Sequence, residues 1–233
     1  MKRFYEEVTL KSAPDGVRLK LDGRAVKTPA KLELLVPSGA FAEALAKEWR
    51  EQGEEIDPKS MPLTRLANSV IDGVADRAEE VRTNLYAYGE TDLIYYWAES
   101  PETLVDRQRA AWQPILDWAV DCFGAEFAPT TGLGLQPQDP GALSALKSEI
   151  DDFDLFSLAA IYEMTSLTGS VLIAVAVARD ELPADAGWDA AHVDETFQIE
   201  QWGEDEEAKV RQASRRAAYL DAVRAIRLLK NAS

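Results

Sequence analysis

Cysteine and histidine are almost absent from this chain of 233 residues: there is one of each, Cys122 and His192. A lone cysteine excludes an internal disulfide and any zinc or iron–sulfur centre built from several thiolates. A lone histidine excludes sites that need two or three imidazoles. No Gly-x-Ser-x-Gly elbow is present for a serine nucleophile, and no Gly-x-x-x-x-Gly-Lys-Ser/Thr loop for nucleotide phosphates. Glycine (13) and proline (11) are too sparse for a collagenous or unstructured chain. Positive charge is scarce as well. Against 41 acidic residues stand 25 basic ones, a net charge of −16, which argues against binding nucleic acid through phosphates. The longest apolar run, Leu167 to Ala178, has 12 residues; a membrane-spanning helix needs about 20. The start, Met1-Lys2-Arg3-Phe4-Tyr5-Glu6-Glu7, reads as neither a secretory signal nor a transit peptide.

What is present is an apolar content of 46%, ample for a core, and an uneven distribution of charge. Residues 1–60 balance 11 basic against 11 acidic side chains, residues 61–208 set 7 against 29, and residues 209–233 set 7 against 1. The step near residue 60 suggests two domains, 1–60 and 61–233. The first reads as strands: Phe4 to Leu10, then Val17-Arg18-Leu19-Lys20-Leu21 with the period of two of a half-buried strand. The Asp22-Gly23 turn follows, with Ala25 to Thr28 as hairpin partner and Leu32 to Val36 as a further strand. Ser38 is placed to cap a helix whose apolar face holds Phe41, Ala42, Leu45, Ala46 and Trp49. From residue 61 the periodicity is helical. Pro114 falls inside one helix, where it should kink it. Asp139-Pro140 opens a helix ending near Ile150, and one apolar helix is expected from Asp154 to Ala178. Pro183 to Gly187 reads as a turn, Trp188 to Trp202 as a single helix, and about Asp205 to Lys230 as the last. The fold class is therefore α+β, with a small N-terminal β-rich domain and a larger, mostly α-helical one.

Chemistry-bearing motifs are few. Cys122 sits on an apolar helix face and reads as a small buried hydrophobe. Asp151-Asp152-Phe153-Asp154 and Glu204-Asp205-Glu206-Glu207 read as helix starts, since neither has the glycine and terminal glutamate of a calcium loop. Six tryptophans are notable: Trp49, Trp112 and Trp118 fit core positions, while Trp97, Trp188 and Trp202 are less clearly internal.

Taken in order, a series of short segments resembles one family, the assembly chaperones that bind the alpha subunit of the F-type ATP synthase. In the first third they are Arg3-Phe4-Tyr5, Leu21-Asp22-Gly23-Arg24 with Lys27-Thr28-Pro29, Val36-Pro37-Ser38, Glu48-Trp49 with Gln52, and Met61-Pro62-Leu63-Thr64. They continue through Asn68, Ile71-Asp72, Tyr88 with Thr91-Asp92-Leu93, Gln108 with Trp112-Gln113-Pro114, and Thr168-Gly169-Ser170. They finish at Glu195 with Gln198, Glu200, Trp202-Gly203 and Asp205. Gln113 departs from the pattern, where an acidic residue is expected. The resemblance implies a two-part fold, no catalysis, no cofactor, no nucleotide and no metal. It implies an ATP-independent chaperone that covers the beta-facing surface of the unassembled alpha subunit and is displaced on assembly, acting as a monomer. The location implied is the bacterial cytoplasm, or the mitochondrial matrix for a processed organellar member. The resemblance, with polar residues recurring beside aromatics, points to Glu48, Trp49, Asp72, Asp92, Glu195, Gln198 and Trp202 as partner-binding residues. Each also has a structural role open to it: Trp49 packed between the two domains, Asp72 and Asp92 as helix caps or partners of Arg65 or Arg82, and Glu195 and Gln198, three apart on one face, satisfying buried polar groups. Two other readings stand beside this one: a hydrolase-like enzyme with a carboxylate site between the domains, and an acidic adaptor for another basic partner.

Overall fold

The computed structural model describes residues 1–37, 39–132, 134, 136–203 and 205–230; Ser38, the expected helix cap, and Glu204 lie outside the described residues. The chain folds into two compact units, each assembled from separated segments: residues 1–79, 154–160 and 224–230 in one, 80–153 and 161–223 in the other. The charge step at residue 60 is a division of composition, and these units are a division of packing.

In the first unit, β1 (Val8–Ala13) and β2 (Gly16–Leu21) form an antiparallel hairpin in register from Val8 opposite Leu21 to Ala13 opposite Gly16. Strand β1 thus starts later than expected. Asp22 and Gly23, both at positive φ (48° and 77°), turn the chain into β3 (Arg24–Ala25). Paired left-handed residues are what a tight hairpin in a right-twisted sheet requires. β4 (Leu35–Val36) pairs with the start of β2. There the backbone comes close: a Cβ on Gly16, which sits at φ 142°, would lie 2.5 Å from the Val36 carbonyl oxygen. α1 (Gly39–Arg50) lays Phe41, Ala42, Leu45, Ala46 and Trp49 into the core as its period predicts. α2 (Pro62–Ser69) begins with proline and runs into a wider, π-type turn at Val70–Val74.

α3 (Ala78–Glu90) leads into the second unit, where β5 (Tyr96–Trp97) pairs in parallel with β6 (Thr130–Thr131). The rest is helical. α4 (Glu102–Phe123) runs as one element through Pro114 and ends on left-handed Gly124. α5 (Pro140–Asp151) is capped by Asp139, whose Oδ1 accepts from the Gly141 and Ala142 N–H groups. Two expected single helices are each divided. The apolar run splits into α6 (Leu155–Thr168) and α7 (Val171–Ala178), because Gly169 is left-handed (φ 73°) and Ser170 caps α7 by accepting from Ile173 N–H. The run to Trp202 splits at His192 into α8 (Ala184–Ala191) and α9 (Val193–Trp202). The Pro183 to Gly187 stretch read as a turn is the start of α8, with Pro183 just before the helix and Ala184 to Gly187 its first turn. The chain ends in α10 (Glu206–Lys230). Every residue of α7 is buried, which explains a helix apolar on all sides. Trp112 and Trp188 are buried and Trp97 and Trp118 half-buried. Cys122 is half-buried, its Sγ accepting from Arg179 at 3.2 Å, so it is less enclosed than its helix face suggested.

Candidate functional site

The seven residues singled out from the sequence have different fates, and burial separates them. Glu48 is 5% exposed. From α1 its carboxylate accepts the Leu63 and Thr64 N–H groups, at 2.8 and 2.9 Å, and the Thr64 hydroxyl at 2.8 Å. The residue before α2, Met61, has no side-chain oxygen to cap that helix. Glu48 supplies the missing acceptor from elsewhere in the chain, where the positive end of a helix favours an anion. Burial nevertheless raises its pKa above the usual value, more strongly than these bonds lower it.

Asp92 has no exposed surface. Its Oδ1 accepts from Ile94 N–H, capping the turn that follows, and its Oδ2 from Leu172 N–H at the start of α7. Loss of water raises its pKa to about 6, despite hydrogen bonds to Ser170 and to backbone N–H groups. A side chain with no surface cannot touch a partner, so direct contact does not fit Asp92; capping, the alternative role, does. Arg82 is engaged elsewhere, with Asp151 and the Phe153 carbonyl. Asp72 is half-buried within the π-type turn, and its Oδ2 accepts from Ala30 N–H at 3.0 Å. Trp49 is 9% exposed and packs against the Tyr5 ring at 5.7 Å, while the Tyr5 hydroxyl donates to the Trp49 carbonyl.

Glu195, Gln198 and Trp202 remain, and α9 brings them together. Their spacing of three and four places them on one helix stripe. The Glu195 side chain is 43% exposed, Gln198 is exposed, and Trp202 is 79% exposed. The other side of α9 is fastened to α4. Buried Gln108 donates its Nε2–H to Asp194 at 2.7 Å and accepts Ala98 N–H on its Oε1, also at 2.7 Å. Arg107 pairs with Glu200 at 2.7 Å and lies 5.4 Å above the ring of buried Phe197. The result is a helix held on one side by α4 that presents a carboxylate, an amide and a bare indole on the other.

Two supports of this surface are not among the seven, although His192, set among Ala190, Ala191 and Val193, reads from the sequence as a packing or surface residue rather than a catalytic one. Gln108 lay in a resembling segment without a role. Its signal was a polar residue on an otherwise apolar face of α4, which burial requires to be hydrogen-bonded. The other is His192, 5% exposed and stacked on Trp188 with ring centres 3.8 Å apart. Its Nδ1–H donates to the Trp188 carbonyl, and its Nε2 stands 3.9 Å from Glu195. Desolvation lowers its pKa, favouring the neutral ring. Among the described residues no three His, Cys, Asp or Glu side chains converge as a metal-binding group, and no helix is long and apolar enough to cross a membrane.

Comparison with known proteins agrees with this architecture. The chain is 40% identical to Atp12 of Paracoccus denitrificans, whose crystal structure superposes with a TM-score of 0.94 over 97% of both chains. A protein of Agrobacterium tumefaciens matches at 40% identity and a TM-score of 0.93, over 98% of this chain and 86% of that one. The mitochondrial protein atp12 of Schizosaccharomyces pombe is 23% identical over 221 residues, 89% of this chain and 75% of that protein. The sequence profile of the ATP12 chaperone proteins matches residues 2–120. The chain belongs to the ATP12 chaperone protein family.

Proposed function

We propose that this protein is an assembly chaperone of the F-type ATP synthase that binds the unassembled alpha subunit, covers its beta-facing surface and yields to the beta subunit. The observation that carries the reading is the outward stripe of α9, with Trp202 79% exposed at its end. An indole left in water on a braced helix is a costly surface for a protein alone and a strong anchor for one with a partner. Glu195 and Gln198 on the same stripe supply the polar contacts beside it. Family membership and the resembling segments along the chain support the identity of the client. The chemistry needs no nucleotide: an unassembled ring subunit exposes apolar interface that aggregates, and a bound chaperone leaves once a tighter partner competes. Such a client places the protein where the catalytic sector is assembled, in a bacterial cytoplasm or a mitochondrial matrix. Of the remaining candidates, Glu48 and Asp92 serve by holding the helices in place.

The test is a solubility assay with purified alpha subunit. The wild-type protein is expected to keep the subunit in solution and to co-elute with it. Glu195→Lys, at a position whose side chain is 43% exposed, is expected to abolish capture while circular dichroism and melting temperature stay unchanged. Equal aggregation of the alpha subunit with and without the wild-type protein would refute the proposal.

A further inference from the structure

The first unit carries a groove of about 590 Å³, within the size range of built ligand sites. Leu21, Val26 and Trp49 line it among its less exposed residues, and Phe4, Arg24 and Lys27 among its exposed ones. Four features of these walls point to an occupant. Phe4 is 66% exposed yet held in place, its ring edge-on to Tyr5 at 5.5 Å. Arg24 and Lys27 are exposed, and neither forms an ion pair among the described residues. The one acidic lining residue, Asp22, is already engaged, its Oδ1 accepting the Glu6 and Glu7 N–H groups at 3.1 and 2.8 Å. Finally, the buried indole N–H of Trp49 has no acceptor among the described residues.

The groove thus carries two exposed cations, Arg24 and Lys27, against a single carboxylate, Asp22, whose pKa is lowered chiefly by the Glu7 and Glu6 N–H groups it accepts and in part by Arg24. Apolar walls, an exposed ring, and two cations against one carboxylate already bonded to backbone N–H groups complement a chain that offers apolar side chains and carboxylates. We propose that this groove is a docking site for an extended peptide segment of a partner protein, one that presents an apolar side chain next to an acidic one. The site lies wholly in the first unit, goes beyond the α9 surface and stands without it.

The test uses the full chain and two fluorescein-labelled heptapeptides, followed by anisotropy. One alternates leucine and glutamate around a central phenylalanine; the other has lysine in place of each glutamate. The acidic peptide is expected to bind about tenfold more tightly, the amount two exposed ion pairs supply. Arg24→Glu combined with Lys27→Glu should erase or invert that preference, and Phe4→Ser should weaken both peptides. All three positions are exposed, and circular dichroism verifies that the variants fold. On titration with the acidic peptide, the indole N–H resonance missing from Trp49→Phe should move. Equal binding of the two peptides, or binding indifferent to all three substitutions, overturns the proposal. So does a dimer in sedimentation velocity that Phe4→Ser dissociates, which would assign the groove to a second copy of the chain. Because this assay contains no alpha subunit, its failure is separate from any failure of Glu195→Lys.

Discussion

Asp92 joins two segments 80 residues apart, through one oxygen on Ile94 N–H and the other on Leu172 N–H. Its charge is held at a cost, since burial raises its pKa from 3.8 to about 6. Between those values the folded protein keeps a proton that the unfolded chain has released, so stability falls as pH rises through this window. The loss is on the order of 3 kcal/mol for a shift of this size. Asp92→Asn has no such titration, and its amide turns a donor toward a backbone donor. The variant is expected to be less stable throughout, and the gap to wild type should narrow from about pH 4 to about pH 6, as read from urea unfolding midpoints. A constant gap would contradict the burial argument. Glu48→Gln removes one acceptor from the start of α2 and leaves Leu63 or Thr64 N–H unmet. A cost of about 1–3 kcal/mol is expected, visible in calorimetry as a melting temperature several degrees lower.

At the scale of elements, the decisive event is the break at His192, where the backbone leaves helical geometry (φ −119°, ψ 22°). Trp188 on one side is 4% exposed and Trp202 on the other 79%, although both fit one helical period. The break frees α9 to take its own direction, with Phe197 and Gln108 setting which stripe faces in. α8 is held as tightly. A Cβ on Gly187 would lie 2.7 Å from the Tyr219 hydroxyl and 2.8 Å from a Val177 methyl. Gly187→Ala is therefore expected to cost about 1–3 kcal/mol through overpacking, although alanine is the better helix former. A variant as stable as wild type in the same unfolding assay would show that α7 and α10 yield at this contact.

For the whole molecule the governing quantity is the net charge of −16, concentrated between residues 61 and 208. Such a field acts on the approach of a partner more than on its retention. Between about 0.05 and 0.5 M salt, the Debye length falls from roughly 14 to 4 Å. On the proposed reading, association with the alpha subunit is expected to slow about tenfold or more over that range, while dissociation changes little because the proposed anchor, Trp202, is apolar. Stopped-flow mixing checks both rates. Faster dissociation in salt would instead mean that ion pairs hold the complex, as the acidic-adaptor reading requires.

Local sequence alone determined a good part of this protein. The alternation of Val17 to Leu21, the Asp22-Gly23 turn, the apolar face of α1 and the start of α5 at Asp139-Pro140 are all legible, because each rests on interactions within a few residues. The family is likewise legible in the order of the resembling segments. Which of the seven candidate residues face outward depends on contacts between segments far apart in the chain. Glu48 finds its acceptor role 15 residues away and Asp92 one of its own 80 residues away, and no local pattern reports a partner so distant. Periodicity shows that a helix has a face. It cannot show which neighbour covers that face, and on α9 the difference is between a buried Phe197 and a bare Trp202.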